Sequence, residues 1–192
     1  MIHVLHGIHQ AENGSNISQL VPYLQHEGLN VKYHNYGYAY AILARFQNPG
    51  RAERLKRFIH PNDICIGHSN GCTLIYMMAM MGAPIKAAIL INPALDETTV
   101  FPSQVEKIDV YHNQGDKAVW FSEFFGFFDL LPHPWGKMGQ VGFVGKDSRV
   151  TNIDCQQNLE APIYGHSAIF RPDNLMVWGP SIAAKVAYYD AS

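Results

Sequence analysis

Asp63-Ile64-Cys65-Ile66-Gly67-His68-Ser69-Asn70-Gly71-Cys72-Thr73-Leu74-Ile75-Tyr76-Met77-Met78-Ala79-Met80-Met81 is the stretch on which the reading of this chain turns. Its first four residues form a short apolar run of the kind that makes a buried strand, and the run from Cys72 is long and apolar enough for a buried helix. Between them stands Gly67-His68-Ser69-Asn70-Gly71. A strand that turns into a helix within one residue forces the central residue into strained backbone angles, and the neighbouring elements leave no room for side chains at the flanking positions. The result is a serine hydroxyl held clear at a helix N-terminus, where amide N–H groups can stabilise negative charge. The competing reading is a glycine-rich turn that merely packs a helix on a sheet.

Working outward, the 192 residues fit one domain with a substantial core, spanning 1–192. A hydrophobic content of 47% with 16% charged residues is that of a globular chain, and a formal net charge of −2 gives no electrostatic case for nucleic acid. Arg51, Arg54, Lys56 and Arg57 form only a loose basic cluster that suits a solvated helix face. Cys65, Cys72 and Cys155 lie in or beside apolar runs and read as buried thiols in a reducing compartment. The first seven residues show no basic leader, and no stretch is apolar enough for stable membrane insertion, so a cytoplasmic location is expected.

Along the chain, His3–Leu5 reads as a first strand, followed by His6-Gly7-Ile8 and a candidate cap in Asn13–Asn16. The next helix carries Ile17, Leu20, Val21 and Leu24 on one face and stops at Gly28. Val31–His34 is a second strand. Residues 36–40 form a loop entering a short helix through Leu43, and Pro49–Phe58 is a separate helix. Beyond the central stretch, Lys86–Ile91, Val105–His112 and Asn152–Cys155 read as strands. A terminal helix beginning near Ile169, or after Pro180, carries Ile182, Val186 and Tyr189. Alternating strands and helices predict a three-layer α/β/α sandwich around a mostly parallel sheet of about six strands.

One segment breaks that rhythm. Residues 118–145 are crowded with Trp120, Phe121, Phe124, Phe125, Phe127, Phe128, Trp135 and Phe143 among glycines and prolines. They read either as core or as a lid or acyl-binding wall, with Trp120, Phe121 and Phe124 as the substrate-contacting candidates. An exposed aromatic surface could equally serve a homo-oligomer interface.

A serine needs a base to take its proton, and the base needs a carboxylate to fix its tautomer. Ser69 is followed by Asp116 in Gln114-Gly115-Asp116, after the Val105–His112 strand, and then by His166 in Gly165-His166-Ser167. With His6-Gly7 after the first strand, four motifs in this order resemble the α/β-hydrolase family over nearly the whole chain. That resemblance implies Ser69 as nucleophile, His166 as general base and then acid, and Asp116 as orienting carboxylate. The backbone N–H groups of Ile8 and Asn70 would form the oxyanion hole. It further implies a serine esterase, lipase or thioesterase acting on a small-molecule acyl ester without cofactor or metal, and the aromatic segment favours an apolar acyl group. The family's first two strands have no counterpart ahead of His3, so the expected member is a minimal one. Asp96, after the Lys86–Ile91 strand, is the rival acid, and Asp147, Asp154 and Asp173 are weaker ones. His68 is expected to point inward and His6 to brace the oxyanion loop. His3, His6 and His9 are spaced by three, which on a strand does not gather a metal. A non-catalytic module of the same fold, binding a ligand or partner, is the alternative from a different functional class.

Overall fold

The computed structural model describes residues 1–8, 16–37, 41–116 and 136–192. Six strands form one sheet: β1 (Ile2–Leu5), β2 (Val31–His34), β3 (Asp63–His68), β4 (Ile85–Ile91), β5 (Lys107–His112) and β6 (Val150–Asp154). Their order is β2-β1-β3-β4-β5-β6 and every neighbouring pair is parallel. The expected parallel sheet and sandwich are borne out.

Each strand sends alternate residues to opposite faces, as the pleat requires. Ile2, Val4, Ile64, Ile66, Ala87, Ile89, Ile91 and Tyr111 pack with the first helix α1 (Val21–His26) and the C-terminal helix, which becomes α5 below. Leu5, Cys65, Ala88, Leu90, Ile108 and Val110 face the other way, toward α2 (Ala41–Lys56) and α3 (Asn70–Met80). Apolar residues on both faces are what a parallel sheet covered by crossover helices demands. The three cysteines are buried and free.

Two helices differ from expectation. The loop-and-short-helix through Leu43 and the helix from Pro49 form the single helix α2, with Pro49 inside it and exposed. After α4 (Met138–Val141) and a 3-10 turn at Ala168–Phe170, the terminal helix α5 runs from Pro172 to Ala191 straight through Pro180. Pro172 at the first turn, followed by Asp173, is a favourable helix start. An internal proline forfeits one ladder hydrogen bond, a loss that water can make good on an exposed face. Pro180 is exposed, and so is Met176, whose carbonyl it leaves free. Gly179 beside it fits because a Cβ there would stand 2.8 Å from the Tyr23 ring of α1. The strand expected from Val105 begins at Lys107, and the last one begins at Val150 rather than Asn152.

Several polar groups are buried with the core. Asp109 on β5 is held by the Tyr189 hydroxyl at 2.9 Å and the Lys185 ammonium at 3.1 Å, both from α5. At the opposite side of the sheet His3, His34 and Asp63 form a chain across β1, β2 and β3. His34 Nε2 donates to His3 Nδ1 at 2.7 Å, and His3 Nε2 donates to Asp63 Oδ2 at 2.9 Å. In that arrangement His3 Nδ1 is an acceptor, which requires a neutral His3 ring. Burial pushes the His3 pKa down, and burial with the adjacent His3 brings His34 to about 4.

These histidines set a pH dependence of stability. A folded-state pKa below the ordinary 6.5 means that the unfolded chain binds a proton the folded chain refuses. For His34 the resulting stability is complete above pH 6.5 and is lost as pH falls from 6.5 toward about 4, at about 1.4 kcal/mol per pH unit. Urea unfolding should show a clearly lower midpoint at pH 5.5 than at pH 7.5, and His34→Gln should reduce the difference. A midpoint that does not move between these pH values would contradict this account.

Candidate active site

The C-terminal ends of β1, β3, β4 and β5 bring the sequence's candidate residues to one edge of the sheet. β3 ends at His68 and α3 begins at Asn70, which leaves Ser69 alone to make the turn, at φ 54° and ψ −120°. A left-handed backbone at a non-glycine residue costs on the order of 1–3 kcal/mol and persists only when its surroundings dictate it. Here they do. A Cβ on Gly67 would lie 2.7 Å from Ile75 Cδ1 and 2.8 Å from the Cys72 nitrogen, and one on Gly71 would lie 2.7 Å from the His6 carbonyl. Both flanking glycines are therefore required by packing, as the sequence implied.

Two backbone N–H groups are aimed by what holds the carbonyls joined to them. In a planar trans peptide, fixing the C=O fixes the opposed N–H. The Ser69 carbonyl accepts from the N–H of Cys72 at 3.0 Å and of Ala94 at 3.3 Å, which sets the direction of the Asn70 N–H. The Gly7 carbonyl accepts from His6 Nδ1 at 2.5 Å, which sets the Ile8 N–H. The two loops touch, since a Cβ on Gly7 would sit 3.1 Å from Ser69 Cβ. His6 is buried and stacked on Tyr36, in keeping with the bracing role expected of it.

His166 follows Gly165, whose φ of 114° only glycine adopts readily. Its Nδ1 lies 2.9 Å from both carboxylate oxygens of Asp116, which is fully buried. The loops carrying these residues are laced together by Asn113, whose side chain accepts from Gly165 N–H at 2.9 Å and donates to Gly165 C=O at 3.3 Å. Asn92 Nδ2 donates to Asp116 Oδ2 at 3.1 Å and to the Gly139 carbonyl at 3.3 Å. Asn92 stands just beyond β4, fully buried, with φ 45°. Among the described residues neither the Ser69 hydroxyl nor His166 Nε2 has a hydrogen-bond partner. Such contacts commonly close only with substrate in place.

The rival carboxylates are engaged elsewhere. Asp96 is exposed and accepts from Thr98 N–H at 2.8 Å. Asp147 pairs with Arg149 at 2.6 Å, Asp154 closes its own turn through Gln156 N–H at 3.0 Å, and Asp173 lies exposed in the first turn of α5. His68 does point inward. Its Nε2 donates to the His166 carbonyl at 3.0 Å, and its ring packs 4.8 Å from that of His166 and edge-on to Phe170. Burial, with the neighbouring His166 next in weight, drives its pKa down to about 3, so it packs against its neighbour without adding charge. No group of three or more His, Cys, Asp or Glu side chains among the described residues is arranged to hold a metal.

Of the aromatic segment, Trp120, Phe121 and Phe124 lie outside the described residues. Of the described part, 136–145, Met138 and Phe143 are buried in the core and Gly139 packs on Asp116, while Lys137, Val141 and Val144 are exposed. A cavity of about 320 Å³ opens beside His166, lined among others by Gln19, Tyr164, Ser167, Phe170 and Arg171. Sequence reasoning missed Asn92 and Asn113 as supports of the acid. Each was visible only as a polar residue ending a strand.

No family model matches the sequence, and no curated protein matches it. Among solved structures, the chain is similar to the esterase domain of a Rhodothermus marinus protein, with a TM-score of 0.59 and 14% identity over 98% of this chain and 87% of that one. It is similar to an extracellular alpha/beta-hydrolase from a Paenibacillus species, with a TM-score of 0.51 and 14% identity over 98% of each chain. It is likewise similar to the pyrethroid hydrolase PytH, with a TM-score of 0.51 and 14% identity over 100% of this chain and 97% of that one. At these identities the likeness is one of architecture, and with the parallel six-stranded sheet and its strained turn after β3, this chain has the α/β-hydrolase fold.

Proposed function

We propose that the chain is a serine hydrolase that cleaves carboxylic ester-like bonds by acyl transfer. The observation that carries this reading is His166 Nδ1 held by both oxygens of a buried Asp116, on the loops that follow the strained serine turn. A ring gripped this way carries its proton on Nδ1 and offers a bare Nε2. The similarity to proteins described as an esterase domain and as hydrolases supports hydrolysis at a coarser level.

In this mechanism the Ser69 hydroxyl attacks the ester carbonyl carbon while its proton passes to His166 Nε2. The carbonyl oxygen, now anionic, receives the N–H groups of Ile8 and Asn70. Collapse breaks the bond to the leaving alkoxide, which takes the proton from His166. Water then adds to the acyl-enzyme with His166 again as base, and the acid departs from Ser69. Asp116 stays ionised throughout and stabilises the imidazolium. The substrate is a small-molecule ester. Trp120, Phe121 and Phe124 are the proposed wall for its acyl chain. Turnover of p-nitrophenyl esters should then depend on acyl length, and a flat dependence would remove the wall from the proposal.

Two experiments test the assignment. A fluorophosphonate probe should label the native protein and leave Ser69→Ala unlabelled; a wild-type protein that stays unlabelled would sink the proposal. Asp116→Asn should lower kcat by roughly 10³- to 10⁴-fold by leaving the wrong tautomer on His166. Asp96→Asn should leave kcat within about twofold, as surface substitutions usually do. The reverse ranking would move the acid to Asp96.

A further inference from the structure

The side chain of Tyr36 sits where the two loops of the candidate oxyanion hole meet. Its hydroxyl donates to the His6 carbonyl and accepts from Asn70 Nδ2 at 3.4 Å. The second N–H of that amide goes to Asn48 Oδ1 at 3.2 Å, and Asn70 Oδ1 accepts from Asn48 Nδ2 at 2.7 Å. Asn48, on α2, and Asn70 are both essentially inaccessible to solvent. The Asn70 amide thus has both donors and its acceptor engaged, a closed circuit that fixes its orientation. The Tyr36 ring also stacks on His6, with centroids 3.9 Å apart and planes 7° from parallel. His6 is the ring that pins the Gly7 carbonyl and with it the Ile8 N–H. Burial raises the Tyr36 pKa and lowers that of His6, so the phenol keeps its proton and the imidazole stays neutral.

We propose that Tyr36 is a positioning residue that clamps the oxyanion hole, holding the loop of Ile8 through His6 and the turn of Asn70 through its amide on one centre. This rests on the serine hydrolase reading. It assigns to a residue far from Ser69 in sequence, and remote from every motif, the task of keeping two donors from different loops at the spacing that one oxygen requires. Stabilisation of a transition-state oxygen depends on donor placement to within tenths of an ångström, whereas binding of the ground-state ester depends on it weakly.

Tyr36→Phe retains the ring and its stack but deletes the hydroxyl. With a short-chain p-nitrophenyl ester, kcat should fall roughly tenfold or more, short of the roughly 10²- to 10³-fold loss expected for removing a donor outright. KM should stay within about threefold, and affinity for an alkyl boronic acid, whose tetrahedral Ser69 adduct places an oxygen in the hole, should fall in step with kcat/KM. Asn48→Ala, which opens the circuit from the α2 side, should give the same pattern to a smaller degree and serves if the first variant does not fold. An active wild type whose Tyr36→Phe and Asn48→Ala forms keep kcat within twofold would overturn the clamp and leave the hydrolase reading intact. A rise in KM at constant kcat would do the same. A wild type without Ser69-dependent turnover would overturn both.

Discussion

The constraint on which this structure depends is the turn at Ser69. β3 and α3 are joined by a single residue, and the two elements approach so closely that Gly67 and Gly71 cannot carry a Cβ. The strain of a serine at φ 54° is held by burial on all sides: β1 and its loop press from one flank, α3 from the other, and β4 takes the Ser69 N–H through the Ile91 carbonyl. Because these contacts come from the middle of the sheet, the turn cannot relax without disturbing the core. Strain held in so rigid a setting fixes the backbone of Ser69 and, through its carbonyl, the direction of the Asn70 N–H.

Around that turn, polar side chains do the work that helices and strands do elsewhere. Asn92 and Asn113 tie the acid loop to its neighbours, His68 grips the backbone of His166, and His6 and Tyr36 hold the loop of Ile8. Each bond is buried or partly buried and is made by a neutral side chain. Neutral donors cost far less to bury than charges, and Asn92 supplies one of them to Asp116 beside the His166 imidazole. The same choice explains the acid sensitivity expected of the fold, since its buried histidines must stay unprotonated.

Much of this was legible in the sequence, and for identifiable reasons. The strands declared themselves because a parallel sheet covered on both faces needs uninterrupted apolar runs such as Ala87-Ala88-Ile89-Leu90-Ile91. Gly67, Ser69, Gly71, Gly165 and His166 were legible because backbone geometry admits few alternatives at those points. Asp116 was legible from its place after β5, and the structure joins it to His166 while Asp96 faces solvent. The helices through Pro49 and Pro180 were not legible, because proline's usual veto is lifted on an exposed helix face, and exposure is a tertiary property. Asn92, Asn48 and Tyr36 were hidden for a related reason. Their roles lie in contacts with residues distant in sequence, and no local pattern distinguishes such a residue from an ordinary strand end, helix position or loop.

Under the proposed mechanism, Ser69 and the N–H groups of Ile8 and Asn70 converge on one carbonyl centre. A crystal structure of the protein after reaction with an alkyl fluorophosphonate measures that directly. Phosphorus should be bonded to Ser69 Oγ, with a phosphonyl oxygen about 3 Å from both backbone nitrogens, the distance an oxyanion hole requires. Phosphorus on any other residue, or a Ser69 adduct whose oxygen turns away from both nitrogens, would contradict it.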